Sequence, residues 1–349
     1  MKVYKNLFNK IIEPENLFWA WEEFKHGKGK KADVLKFEKN LEQELFQLHR
    51  DLKDKTYRHG GYTDFFICDP KLRHIHKATV RDRVLHHAVY QILNPLFEPT
   101  FIATSFSCRI QKGSHKGVDV AESMIRKVSR NYTRACYVLK CDVRKFFDSI
   151  DHSILLSLIQ RKIKDKEVIW LIGEIVDSFV SGYSNLFTRT GVPIGNLTSQ
   201  LFANMYMNEF DQYMKQKLKV EHYGRYTDDF IIVSNDKKYL ENLIKPIILF
   251  LGNRLKLRLH TDKVEILKAS GSVDFLGYIL RPYHRLIRKK TLRRIERKHR
   301  DKFNAYTKGI ISKESFNQTF ASYLGALSHA NAYRLSENLK NQYWFWDNK

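Results

Sequence analysis

The stretch His222-Tyr223-Gly224-Arg225-Tyr226-Thr227-Asp228-Asp229-Phe230-Ile231-Ile232-Val233 constrains this chain more than any other. Aromatic and β-branched residues on either side read as two short strands meeting at adjacent aspartates. Two neighbouring carboxylates repel and raise each other's pKa unless something positive sits on them. A hard divalent cation such as Mg²⁺, which prefers oxygen ligands, resolves the conflict. Asp is also common in hairpin turns for backbone reasons, so the pair alone leaves an ordinary turn open.

A third acid narrows the choice. Residues 135–142 form a short apolar run that ends on Asp142, the pattern of a buried strand delivering an acid at its C-terminal end. Nucleotidyl transfer uses two divalent ions about 4 Å apart, and three carboxylates from two strands can hold them. Charge agrees with such chemistry. The 349 residues carry 61 Lys and Arg against 38 Asp and Glu, a formal +23, which points to a polyanionic partner, most simply nucleic acid. Past Asp142 the sequence continues Val143-Arg144-Lys145-Phe146-Phe147-Asp148, and an aromatic five residues beyond the acid can floor a sugar pocket and exclude a 2′-hydroxyl. At least one of Phe146 and Phe147 must pack in the core. Asp148 and Asp151 read as structural or helix-capping.

Other signals are weaker. The cysteines at 68, 108, 136 and 141 show no paired or zinc-type spacing and read as reduced, buried thiols. His86, His87 and His115 have no zinc spacing either, and read as helix-surface or RNA-contacting. No run approaches the length of a membrane span, and the N-terminus does not read as a signal peptide, so a cytoplasmic protein is expected. Helices are expected over 14–25, 32–53, 84–97, 151–182 and 237–254, with another from Thr198 carrying Phe202, Tyr206, Phe210 and Met214 on one face. Strands are expected at 61–68, 257–267 and 273–280. From Arg281 to Arg300, ten of twenty residues are Lys or Arg, and helices with little strand signal are expected to the end.

Taken in order, these blocks resemble a reverse transcriptase over roughly residues 20–330: Asp142 with its Phe-Phe-Asp, then Tyr226-Thr227-Asp228-Asp229. The resemblance implies an α+β right-hand polymerase with fingers, an antiparallel-sheet palm and a helical thumb. It divides the chain at 1–134 (N-terminal helices and fingers), 135–285 (palm with some fingers sequence) and 286–349 (basic thumb). Asp142, Asp228 and Asp229, with the Val143 carbonyl, would ligate two Mg²⁺, for which Mn²⁺ can substitute. Lys71 and Arg73 match fingers positions that grip the triphosphate, Phe147 the steric gate, and Lys263 a proton donor to pyrophosphate. Ile194 and Gly195 would line the dNTP site. Arg109, Gln200, Tyr226, the Phe275-Leu276-Gly277 turn, Arg293 and Arg297 would contact nucleic acid. Between the acidic blocks the family usually has Gln-Gly followed by Ser-Pro, whereas this chain has Ile194-Gly195 followed by Ser199-Gln200. That departure is similar to reverse transcriptases of diversity-generating retroelements, which copy a template-repeat RNA with errors at adenines into cDNA. It implies as partners a structured template RNA and a small basic accessory protein. Group II intron-like, retron and phage-defence reverse transcriptases are the alternatives, with a catalytically silent RNA-binding scaffold further off. No maturase extension, endonuclease or RNase H domain is expected after the thumb.

Overall fold

Helical and alternating periodicities become discrete elements in the computed structural model, which describes residues 2–68, 72–184 and 188–347. The chain opens with α1 (Phe8–Ile12), α2 (Pro14–Lys25), α3 (Ala32–Glu38) and α4 (Leu41–Lys53). The helix expected over 32–53 is thus two. Asn40 leaves the helical backbone (φ −122°, ψ 31°), yet the apolar spacing stays in phase across the break, so the pattern reads as continuous. A hairpin of β1 (Tyr62–Ile67) and β2 (Arg73–Ala78) leads to α5 (Val80–Phe97). α5 starts before Val84 because the Thr79 hydroxyl caps it, accepting from the Asp82 amide at 3.2 Å. Pro95 does not stop α5 but lies within its last turn, where its ring forgoes the bond to the Gln91 carbonyl.

Next come α6 (Ser114–Val128), β3 (Tyr137–Asp142), α7 (Phe146–Ser149), α8 (His152–Gln160) and α9 (Lys166–Asp177). The expected 151–182 helix is also split, at Asp165, whose carboxylate accepts from the Glu167 and Val168 amides and starts α9 afresh. α10 (Leu197–Gln212) buries Phe202, Tyr206 and Phe210 as anticipated. The hairpin of β4 (Tyr223–Tyr226) and β5 (Asp229–Ser234) precedes α11 (Lys237–Leu255). Instead of one strand over 257–267 there is a single bridge from Leu259 to Val143, a 3₁₀ turn at Thr261–Lys263, and β6 (Glu265–Lys268). β7 (Val273–Phe275), β8 (Tyr278–Arg281), β9 (His284–Ile287), α12 (Lys289–Thr307), α13 (Lys313–Ser328) and α14 (Tyr333–Asp347) complete the chain. β9 was hidden in the basic run. Its Arg285 is spent on ion pairs with Asp119 (2.9 Å) and Glu122 (2.6 Å).

Two compact units interleave along the sequence. One holds residues up to Cys108, Asp142–Glu221 and Lys245–Thr261. There α5 packs against α2 and α10, and Trp21, Leu85, Val89 and Phe202 are buried. The other holds Arg109–Cys141, His222–Ile244 and the chain from Asp262. Its core joins Val118 and Ile125 of α6 to Val138, Ile231 and Val233 of the sheet, and Leu327 and Leu339 of α13 and α14 belong to the same cluster. The four-stranded sheet runs β4-β5-β3-β6, and β7-β8-β9 form a second sheet. No helix among the described residues is long and apolar enough to cross a membrane.

Candidate active site

In β4, Tyr223 and Arg225 point to one side at period two, and both are fully buried. The register pairs Arg225 with Phe230 and Tyr226 with Asp229, which leaves Thr227 and Asp228 as the whole connection. Thr227 sits at φ +55°, a backbone that costs a β-branched residue about 1–2 kcal/mol. Arg225 Nη1 donates to the Thr227 carbonyl at 2.9 Å. A buried guanidinium therefore grips the peptide group joining Thr227 to Asp228, at the base of the two acids. Arg225 is the site residue that sequence reasoning missed. Its signal was positional, since it shares a strand face with Tyr223.

Asp142 closes β3 and is only 7% exposed. Sheet order makes β3 the neighbour of β5, the strand that Asp229 opens. Past the acid, the Asp142 carbonyl accepts from the His260 amide at 2.8 Å, and the Arg144 amide donates to the Arg258 carbonyl at 2.8 Å. Lys145, at φ +48°, then turns the chain into α7. Phe146 is the buried member of the aromatic pair. Phe147, half-buried, meets it edge-on at 5.4 Å. Asp151 caps α8 as expected, its carboxylate accepting from the Ile154 amide at 2.9 Å. Burial pushes the Asp148 carboxyl up, with Lys145 and His76 opposing.

The Val192–Gln200 segment is held from two sides. The Val192 amide donates to the Phe147 carbonyl at 2.9 Å, and the Ile194 carbonyl accepts from the His76 amide of β2 at 3.1 Å. Asn196 Nδ2 returns to the His76 carbonyl at 3.2 Å. Gly195 takes φ +117°, and a Cβ there would meet Ile75 Cγ2 at 3.0 Å, so both conformation and space call for glycine. Gly195 and Gln200 share a cavity of about 270 Å³ with Phe65, Ile75 and Lys77. Burial, and then His74, hold the His76 imidazole below its usual pKa, so it is neutral at pH 7.

The first unit thus unites the Arg73 hairpin with Ile194, Gly195 and Gln200, and ties Phe147 to the same segment. Arg73 itself is exposed at the start of β2, and Lys71 lies outside the described residues. In the second unit Tyr226, Lys263 and Arg109 are half-buried. Leu276 (φ +49°) and Gly277 (φ +92°) form the two-residue turn between β7 and β8. Phe275 packs in the core at 1% exposure, so it anchors that turn, and only Leu276 and Gly277 offer surface. Arg293 and Arg297 lie exposed one turn apart on α12, whose Ile295 and His299 are buried.

Two minor expectations are corrected. His86 is neither surface-bound nor RNA-contacting: it is 1% exposed, its Nε2 lies 3.2 Å from that of His59, and burial holds its pKa well below 6.5. Of the thiols, Cys136 and Cys141 are buried, whereas Cys68 and Cys108 are exposed. Among the described residues no group of three or more His, Cys, Asp or Glu side chains forms a ready metal cage. The three acids singled out in the sequence, Asp142, Asp228 and Asp229, are hard oxygen donors. That hard donor set suits Mg²⁺ or Mn²⁺ and suits thiol- or imidazole-seeking ions poorly.

Comparison with known proteins agrees with this architecture. The family model for reverse transcriptase (RNA-dependent DNA polymerase) matches residues 68–280. Group II intron-encoded protein LtrA of Lactococcus lactis subsp. cremoris is 24% identical, covering 80% of this chain and 57% of that protein. Protein YkfC of Escherichia coli (strain K12) is 27% identical, covering 63% of this chain and 65% of its own length. The chain spans less than two thirds of either relative. A solved telomerase from Candida albicans, in complex with a fragment of telomeric RNA, has a TM-score of 0.50 at 11% identity over 79% of this chain and 56% of that one, a likeness of fold. The α+β fold is that of a right-hand polymerase. With the family model covering well over half its length, the chain belongs to the reverse transcriptase family.

Proposed function

We propose that this chain is an RNA-directed DNA polymerase that extends a primer 3′-hydroxyl with dNTPs on an RNA template. The observation that carries the reading is the sheet order, in which the strand ending at Asp142 neighbours the strand opened by Asp229. Asp142, Asp228 and Asp229, with the Val143 carbonyl, would hold two Mg²⁺. When bound, these ions lower the pKa of the attacking hydroxyl and neutralise the triphosphate. Lys71 and Arg73 neutralise the remaining phosphate charge, and Ile194 and Gly195 wall the nascent pair. Phe147 crowds a ribose 2′-hydroxyl, and Lys263 delivers a proton to the departing pyrophosphate. Arg109, Gln200, Tyr226, the Leu276–Gly277 turn that Phe275 anchors, Arg293 and Arg297 guide template and cDNA, largely through phosphate contacts that fix register without reading sequence. The division into fingers, palm and thumb at 134/135 and 285/286 belongs to the same proposal. Primer extension on RNA in Mg²⁺, lost with a chelator and restored by Mg²⁺ or Mn²⁺, is the expected behaviour. Chelator-resistant extension overturns the metal assignment.

The finer reading is mutagenic copying for a diversity-generating retroelement, with a small basic accessory protein as partner. Ile194 supports it. At position 194 an aliphatic side chain stands where the family usually carries a Gln amide, so a polar positioning contact is missing there and discrimination against wrong dNTPs falls. An intron-type reverse transcriptase is the second reading, favoured by the intron-encoded LtrA. Ile194→Gln separates the two: under the retroelement reading it lowers misincorporation opposite template adenine severalfold, and an unchanged error spectrum favours the intron type.

A further inference from the structure

We propose that a basic pocket beside the exit of β3 binds a polyphosphate group, that of a nucleoside triphosphate or of free pyrophosphate, apart from the residues assigned to the reaction. The ligand class rests on the polymerase reading; the binding site rests on geometry.

The pocket lies wholly in the first unit and has a volume of about 550 Å³. One wall is Arg144 and Lys145, just past Asp142, and the other is Lys256 and Arg258. Backbone pairing fixes the walls together: the Arg144 amide donates to the Arg258 carbonyl at 2.8 Å, and Val143 bridges Leu259. All four cations are exposed, and none forms an ion pair among the described residues. Lys145 lies 4.2 Å from the Tyr183 ring centroid, which fixes its ammonium at the rim.

The one carboxylate in the lining does not balance them. Asp151 is 7% exposed and already accepts from the Ile154 amide and the Ser153 hydroxyl in capping α8. Four like charges around one concavity repel each other, and the concave wall focuses their field outward. A compact polyanion relieves that repulsion. Two linked phosphates bring roughly three negative charges at neutral pH, and guanidinium forks match their oxygens bidentately. A volume of this order suits a nucleotide-sized ligand and is excessive for a monatomic anion. The half-exposed Tyr183 offers a face for a base. Because its walls continue directly from Asp142 and from His260, such a pocket holds incoming or departing phosphates one step from the proposed reaction.

The test is isothermal titration of the full chain in chelator, so that no metal recruits the ligand, with pyrophosphate in one arm and ATP in the other. ATP carries the polyphosphate but is excluded by a steric gate from the dNTP site. The expected result is one-to-one binding in at least one arm, weakened about tenfold by Arg258→Ala and by Lys256→Ala, and regained in part by Arg258→Lys. Pyrophosphate alone identifies a product site; ATP, alone or with pyrophosphate, identifies a nucleotide site. The proposal is overturned by no binding in either arm, or by equal affinity in the variants. It is also overturned if the variants lose primed-template affinity and primed template displaces the ligand, since the cations then belong to a duplex track. Primer extension by the parent chain is measured alongside. Its absence refutes the polymerase reading while leaving the binding result to stand or fall alone.

Discussion

Replacing Arg225 tests how the acidic turn is held. The side chain is fully buried, and its guanidinium donates to the Thr227 carbonyl at 2.9 Å, across a residue at φ +55°. Arg225→Met keeps most of the volume and removes the charge-assisted hydrogen bond, worth about 1.5–3 kcal/mol. It also strands whatever acceptors the guanidinium served, so the total loss should reach about 3 kcal/mol, towards the range for breaking a buried ionic contact. Urea unfolding followed by fluorescence gives that number directly. In primer extension the same variant should lose at least tenfold in rate, because Asp228 is no longer positioned from below. Thr227→Gly in the Arg225→Met background should recover about 1 kcal/mol, since glycine adopts positive φ without a Cβ clash. Arg225→Lys should fall between, keeping charge but losing the planar fork. A stability change under about 0.5 kcal/mol for Arg225→Met, or no response to Thr227→Gly, refutes the reasoning.

Two further outcomes follow from geometry and titration. Gly195→Ala forces φ +117° on a Cβ that meets Ile75 Cγ2 at 3.0 Å. It should destabilise by about 1–3 kcal/mol and raise the dNTP KM more than it lowers kcat, as read by thermal melting and steady-state kinetics. Acid should weaken the helical C-terminal region. Burial among the rings of Phe316 and Phe320 lowers the His299 pKa to about 4, against 6.5 when unfolded. The folded pKa is depressed, so the unfolded chain takes up the proton first. The contribution is whole above about pH 6.5 and is lost as pH falls towards 4, by roughly 3 kcal/mol. His299→Phe should flatten that stretch of the stability–pH curve measured in urea.

Much of the fold was legible because short periodic segments carry their own signal. The apolar run ending at Asp142 and the hairpin around Asp228 depend only on alternation and a two-residue turn, and both appear as β3, β4 and β5. Breaks were harder to see. Asn40 interrupts α3 and α4 without disturbing the hydrophobic phase, and Asp165 starts α9 by a local carboxylate cap. Arg225 escaped notice because a charged residue in a strand reads as solvent-facing, and only its register with Tyr223 says otherwise. β9 was obscured by the Arg281–Arg300 charge run, where Arg285 serves acidic partners on α6. The docking of β2 on Ile194 and Asn196 spans over a hundred residues, and its β2 side consists of the His76 amide and carbonyl alone, backbone groups that leave no side-chain signature.

On the proposed function, the paired aspartates Asp228 and Asp229 are catalytic and not an ordinary turn. Asp228→Ala, assayed for single-dNTP incorporation on a primed RNA alongside filter binding of the same RNA, tests it most directly. Incorporation should fall by at least a thousandfold, about 4 kcal/mol in transition-state terms, with RNA affinity within twofold of the parent. Undiminished incorporation by a variant that still folds and binds RNA contradicts it.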